Sequence, residues 1–160
     1  MRRFSLSWLA ATAGRVLLGG VFIYAAYTKL RENPLLFAMA IDAYKLLPEA
    51  GAIALARVLP WAELILGLAL VAGVLPRVSM SAATALLGVF FAVMLRAYQQ
   101  GQQISCGCFG LGEPISGRTL ARDGALLALS LVLTVTAFRT ARRSRSHRPA
   151  AAPETAMGKS

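Results

Sequence analysis

A chain of 160 residues with 57% hydrophobic residues, 15% charged residues and a mean hydropathy of +0.60 is too apolar for an ordinary soluble domain, since such domains carry about 25% charged residues. The net charge of +10 does not indicate a nucleic-acid surface, because the basic residues form no stripe beside stacking aromatic residues. Many of them lie between Arg139 and Arg148, directly after an apolar run. Basic residues in this position indicate the cytoplasmic end of a membrane span, in contact with anionic lipid. The composition therefore predicts a lipid bilayer as the partner, and no nucleic acid.

Four apolar runs predict four transmembrane helices, because an isolated strand cannot satisfy its backbone hydrogen bonds in lipid. The predicted spans cover residues 7–28, 54–75, 78–98 and 119–138, and a span needs roughly 20 residues. Pro76 and Arg77 form a short turn between the second and third spans, which are then antiparallel neighbours. The predicted fold class is all-α, a four-transmembrane-helix bundle that forms one membrane domain over residues 1–138.

A short helix is predicted between the first two spans. Pro34 is well placed to begin it and Pro48 to end it. Apolar side chains that share one side of this helix suggest that it lies along the membrane interface, and a packed extramembrane helix would show the same pattern. These side chains are Leu35, Leu36, Met39, Ala40 and Tyr44.

Several glycines fall inside the predicted spans. A helical glycine lets two backbones approach closely in a membrane. We therefore expect close helix packing at Gly19 and Gly20 in the first span, and at Gly67 and Gly73 in the second.

The distribution of Lys and Arg predicts the orientation. With both termini inside, nine basic residues lie in the inner segments and five in the outer ones, which agrees with the positive-inside rule. This places both termini in the cytoplasm and residues 139–160 in a disordered basic tail. The connection between spans three and four then faces the periplasm or its equivalent, where disulfides persist.

That outer connection carries the only two cysteines of the chain, in the sequence QQISCGCFGLGEPISG over residues 102–117. The nearby glycines allow a tight turn that exposes the sulfurs. Side chains two residues apart point to opposite faces of an extended segment, so a Cys106–Cys108 disulfide needs a bent, strained backbone. Strained disulfides are the more oxidising ones. Redox exchange is thus favoured, with Cys106 and Cys108 as the candidate catalytic residues.

Other interpretations of this pair remain open: a structural disulfide, metal ligation, or thiols without a role. The two cysteines lack the further ligands of a zinc site. The single histidine, His147, lies in the predicted cytoplasmic tail. No metal site is therefore predicted.

Charged residues inside the predicted spans form the second feature; they are Arg15, Arg57, Glu63, Arg122 and Asp123. An unpaired charge at the centre of a membrane helix costs about 2.5–3.5 kcal/mol on insertion scales, so partners or water are expected. Glu63 is off the helix face of Arg57, and Arg15 is its first candidate partner. Arg122 and Asp123 diverge by about 100° on a helix and are each expected to pair with another helix. These residues can fix the bundle by ion pairs, or form a polar pocket for a quinone headgroup or a proton path.

Four stretches in this order carry a family resemblance: RVLLGGVFIYAAYTKL (15–30), LPWAELILGLALVAG (59–73), CGCFG (106–110) and TLARDGALLAL (119–129). Together they resemble the MauE/DoxX-like group of redox-associated membrane proteins, over most of residues 15–138. The CGCFG element is the specific part. The chain departs from the group at Ala26, where a glycine is frequent.

The resemblance implies a four-helix membrane protein that serves the maturation of methylamine dehydrogenase, whose small subunit needs many disulfides. It implies a thioredoxin-like partner of the kind called MauD, and Cys106 and Cys108 as the redox pair. Arg15, Lys29, Glu63 and Arg122 match polar positions of the group to which no role is assigned.

The expected function is support of thiol–disulfide exchange on extracytoplasmic proteins, as a possible component of a membrane thiol–disulfide oxidoreductase. One alternative is a non-catalytic membrane assembly factor whose cysteines only shape the loop. A further alternative is a quinone-linked oxidoreductase that resembles vitamin K epoxide reductases in architecture, although their Cys-X-X-Cys motif is absent here. A quinone is the candidate cofactor of that alternative.

Overall fold

Four long helices and one short helix account for most of the described chain. The structure is a computed structural model that describes residues 6–101 and 114–146. Over these residues the helices are α1 (Leu6–Arg31), α2 (Pro34–Asp42), α3 (Glu49–Ala72), α4 (Pro76–Gln99) and α5 (Gly117–Ser146). All except α2 are long and apolar enough to cross a bilayer. The chain is therefore an all-α, multi-pass membrane protein, as predicted from its composition.

The outer surface of the bundle is apolar. Large side chains such as those of Val58, Ile65, Val78 and Val89 are 63–67% exposed. A soluble monomer rarely carries such an extensive apolar surface, whereas a lipid bilayer solvates it. The buried core between the spans is small by comparison; it consists of Leu18 and Phe22 of α1, Leu70 of α3, Met80 and Ala83 of α4, and Leu133 of α5.

Helices α1 and α3 are antiparallel and meet at two glycines. A Cβ atom added to Gly19 would lie 2.8 Å from the carbonyl oxygen of Gly67, and one added to Gly67 would lie 2.9 Å from that of Gly19. Only glycine permits this backbone approach. The predicted close packing is confirmed at Gly19 and Gly67. It is wrong at Gly20, where an added Cβ would meet no atom of the described residues within 4 Å.

A tight turn reverses the chain between α3 and α4. Gly73 ends α3 in the left-handed region, with φ 72°, and its N–H donates to the carbonyl of Leu70. Pro76 then occupies the first turn of α4, where its missing N–H costs no hydrogen bond. Gly73 therefore serves as a helix cap rather than as a helix-packing position.

Helix α4 packs along α5, which returns antiparallel to it. The hydroxyls of Thr84 and Thr134 lie 2.9 Å apart between these helices. At the other end of the pair, a Cβ on Gly117 would lie 3.8 Å from the Tyr98 hydroxyl. The C-terminus of α1, the C-terminus of α4 and the N-terminus of α5 thus share one end of the bundle, which we call the α4–α5 end.

Helix α2 covers the part of α3 that extends beyond the end of α1. Asn33 caps it, because its side-chain oxygen accepts the N–H of Leu35 at 2.9 Å, and Pro34 follows. Phe37 and Ala38 are buried against Ala56 and Leu59 of α3. The opposite side is exposed, at Leu35, Leu36 and Met39. The short helix between the first two spans and its start at Pro34 are confirmed, but the helix ends at Asp42, six residues before the predicted end at Pro48.

The predicted basic tail begins at residue 139, whereas α5 continues to Ser146. Residues 147–160 lie outside the described residues.

Candidate functional site

A buried ion pair joins α1 to α3. The Nζ atom of Lys29 donates to both carboxylate oxygens of Glu63, at 2.9 and 2.8 Å. The two side chains are only 1% and 4% exposed. The ammonium also lies 5.8 Å from the centre of the Phe37 ring on α2, within the range of a cation–π contact. Three helices therefore converge on one charged contact.

The antiparallel register of α1 and α3 brings Lys29 to Glu63. Lys29 is in the last turn of α1, where a cation is favoured by the helix dipole. The prediction that Arg15 is the partner of Glu63 is therefore wrong. Arg15 precedes Lys29 by fourteen residues on α1, which is about 21 Å along a helix, so the two side chains meet α3 at different levels.

Arg15 instead contacts the C-terminal end of α3. A Cβ added to Gly73 would lie 3.0–3.1 Å from its guanidinium atoms. The C-terminus of a helix carries partial negative charge, which favours a cation at this position. The Nε atom of Arg15 is buried and has no hydrogen-bond partner among the described residues. Arg57 lies elsewhere on α3 and is exposed.

Arg122 and Asp123 lie in the first turns of α5. A reciprocal cap begins this helix: the Ser116 N–H donates to the Thr119 hydroxyl at 2.8 Å, and the Thr119 N–H donates to the Ser116 hydroxyl at 3.3 Å. Arg122 Nε then donates to Asp123 Oδ1 at 3.1 Å. The prediction that each pairs with another helix did not anticipate this direct contact, because the long arginine side chain bends back to its neighbour.

Glu63 and Asp123 line the same cavity, between α1, α3, α4 and α5. Its volume is about 40 Å³, and one water molecule needs about 10–15 Å³ measured in this way. The cavity therefore admits a few water molecules. A quinone headgroup, one of the occupants expected from the sequence, is too large for it.

The candidate catalytic residues Cys106 and Cys108 lie outside the described residues. Their flanks are described: α4 ends at Gln99 and α5 begins at Gly117. Tyr98 and Gly117 are in contact range across these two helix ends. The connection that contains both cysteines therefore starts and finishes at the α4–α5 end.

Sequence reasoning missed Lys29 as an intramembrane residue. The first span was predicted to end at residue 28, so Lys29 was assigned to the outer segment, whereas α1 continues to Arg31. No pattern within a single helix indicates this pair, because the contact of Lys29 with Glu63 depends on the register of α1 along α3.

Comparisons with known proteins show the family of this chain. The family described as methylamine utilisation protein MauE matches residues 6–136. The methylamine utilization protein MauE of Paracoccus denitrificans is 33% identical over 136 residues, which are 83% of this chain and 73% of that protein. The protein of the same name from Paracoccus versutus is 37% identical over 120 residues, 73% of this chain and 64% of that protein. No solved structure matches the chain significantly. With the family match spanning α1 to α5 and both relatives aligned over most of its length, this chain belongs to the MauE family of methylamine utilisation proteins.

Proposed function

We propose that this protein supports thiol–disulfide exchange on extracytoplasmic proteins through Cys106 and Cys108. The observation that carries the proposal is the position of their connection. It joins α4 and α5 at one end of the bundle, where Tyr98 approaches Gly117. The sequence adds a Cys-X-Cys pair next to glycines, whose freedom to form a tight turn suits exchange with a second protein.

The proposed location is the cell inner membrane, with both termini in the cytoplasm. Arg77 lies in the first turn of α4, next to the α3–α4 turn, and α5 ends in a strongly basic run that begins at Arg139. The opposite, α4–α5 end carries fewer basic residues. The positive-inside rule then directs the cysteine connection outward, into a compartment where disulfides persist.

The proposed chemistry is exchange between two dithiol–disulfide pairs. A thiolate of one pair attacks a sulfur of the other pair's disulfide and forms a mixed disulfide. The second thiolate then resolves it, so that one pair is oxidised as the other is reduced. This step needs no further oxidant. A thioredoxin-like protein of the MauD kind is the proposed partner, and methylamine utilisation is the proposed context, from the names of the relatives.

A trapping experiment tests the exchange. Cys106→Ser and Cys108→Ser are each made alone. Each variant keeps one thiol that can form a mixed disulfide but lacks the second thiol that would resolve it. One of the two single variants is expected to accumulate a mixed disulfide with its partner, seen as a larger species that disappears on reduction. The double variant has no thiol and should migrate as the protein alone. Ser105→Ala, in the same connection, is the matched control and traps nothing.

Complementation separates the proposal from a non-catalytic assembly role. The double Cys→Ser variant is introduced into a host that lacks its own MauE protein, and growth on methylamine is measured. Loss of growth, with normal membrane levels of the protein, supports exchange. Full growth, together with no trapped partner, contradicts the exchange role and favours an assembly factor.

A further inference from the structure

A second, larger cavity lies between α2, α3 and α4. Its volume is about 300 Å³, which reaches the range of small-molecule sites, about 300–1,000 Å³. Phe37, Ile41, Leu59 and Phe90 form its inner walls. Protein interiors are close-packed and rarely leave such a volume empty. An occupant is therefore expected.

The lining defines the chemistry of that occupant. Its thirteen described residues include no Lys, Arg, Asp or Glu, and Tyr44 supplies their one hydroxyl. A phospholipid phosphate held inside the cavity would find no cation among them, and burying such a charge without a partner is unfavourable. A long apolar chain with an uncharged headgroup matches the lining.

The cavity opens sideways to the lipid. Leu55 on α3 and Val89 on α4 line it and are 38% and 63% exposed on the outer surface of the bundle. Because lipid solvates that surface, a ligand dissolved in the bilayer reaches the cavity between these two helices. A water-soluble ligand does not.

The cavity also lies near the cysteine connection. Met94 lines it and precedes the last residue of α4, Gln99, by five residues, which is about 7.5 Å along a helix. Tyr44, Leu46 and Leu47 bound the same end. The connection that contains Cys106 and Cys108 follows α4 directly.

We propose that this cavity binds the apolar chain of a membrane quinone, and that the quinone is the electron carrier for the cysteine pair. The binding is argued from the cavity; the redox role rests on the proposed function. When the two thiols form a disulfide they lose two electrons and two protons, and the quinone ring takes up both to become a quinol. The reverse transfer regenerates the dithiol.

Bound quinone is the first test. Full-length protein is purified in mild detergent, and quinones and phospholipids are extracted and quantified. We expect quinone in equimolar amount. Ala40→Phe and Val93→Trp add bulk to opposite walls of the cavity and are expected to lower the bound quinone to about a tenth, a loss of 1.4 kcal/mol. Ala92→Trp, on the adjacent and exposed residue of α4 outside the cavity, is the matched control and retains it.

A second measurement, on the unaltered protein, tests the proposal even if the filled variants fail to fold. Decylubiquinone is expected to raise the thermal unfolding temperature of the unaltered protein, whereas a dialkyl phospholipid of the same chain length is not. Mixed anaerobically with reduced protein, decylubiquinone should become quinol as the Cys106–Cys108 disulfide forms, and the double Cys→Ser variant should bind it without reducing it.

Three results would overturn the proposal: co-purification of phospholipid alone, full quinone content in both filled variants, or no stabilisation by decylubiquinone. These results are separate from failure of the proposed function. Quinone retained by the double Cys→Ser variant supports the cavity assignment, and complementation by that variant alone decides the role of the cysteines.

Discussion

Lys29 and Glu63 face each other across α1 and α3, with the lysine ammonium 2.8–2.9 Å from both carboxylate oxygens and almost no exposure of either side chain. Removing two charges from water is unfavourable, so the pair adds little net stability to the bundle. Removing one partner is a different matter, because it leaves the other charge buried and unpaired. The pair therefore selects one register of α1 against α3.

Single replacements of this pair are predicted to be strongly destabilising. Lys29→Met and Glu63→Gln should each lower the free energy of unfolding by about 3–5 kcal/mol. The double variant Lys29→Met with Glu63→Met should recover most of that loss, because no buried charge remains. Unfolding in mixed micelles, followed by circular dichroism, measures all three variants.

The matched control is the exposed pair of Lys45 with Asp42. The Lys45 side chain is 75% exposed, and exposed pairs contribute about 0–1 kcal/mol. Lys45→Met should therefore leave stability nearly unchanged. A double variant at Lys29 and Glu63 that is as unstable as either single variant would contradict the ion-pair explanation.

Gly67 is predicted to tolerate no side chain. An added Cβ would lie 2.8 Å from Ile23 Cγ1 and 2.9 Å from the Gly19 carbonyl oxygen. Gly67→Ala should therefore force α1 and α3 apart and destabilise the protein by about 1–3 kcal/mol. Gly20→Ala, where an added Cβ meets nothing within 4 Å in the described part of the chain, is the control. It should be neutral or stabilising by up to about 1 kcal/mol. Equal losses at both glycines would show that helix separation is not the cause.

The spans were predictable because each long apolar run has one stable form in lipid, a helix. The short α2 was predictable from Pro34 at its first turn and the polar residue before it. The partner of Glu63 was not, because it depends on the relative level of two helices. Shifting α1 by one turn along α3 exchanges every contact without changing the hydrophobic pattern.

The contact between Arg122 and Asp123 was missed for a different reason. Helical geometry separates neighbouring Cβ atoms, but it does not limit the path of a flexible arginine side chain. The larger apolar cavity was also not foreseen, since it arises from how α2 lies across α3 and α4. Packing defects of this kind leave no pattern in the sequence of a single helix.

Gly73 is predicted to combine two constraints. Its φ of 72° disfavours any residue with a side chain, and an added Cβ would lie 3.0 Å from the Arg15 guanidinium. Gly73→Ala should lower stability by about 1–2 kcal/mol from backbone strain alone, with a further loss from Arg15. Gly101→Ala isolates the strain, because Gly101 has φ 67° and an added Cβ there would meet no atom of residues 6–101 or 114–146 within 4 Å. Gly73→Ala should lose more stability than Gly101→Ala, and adding Arg15→Ala to Gly73→Ala should remove only this difference. If it removes none, Arg15 does not restrict that turn.

The two ends of the bundle are predicted to face different compartments. In intact cells, a membrane-impermeant maleimide should modify Cys106 and Cys108 after mild reduction, because the α4–α5 end is the less basic one and should face outward. A Cys-free protein that carries Arg77→Cys, in the first turn of α4 at the opposite end of the bundle, is the control. It should react only after the cells are opened. Modification of Arg77→Cys from outside, with Cys106 and Cys108 protected, would mean that the bundle is inserted in the opposite orientation. The exchange partner would then have to be a cytoplasmic protein.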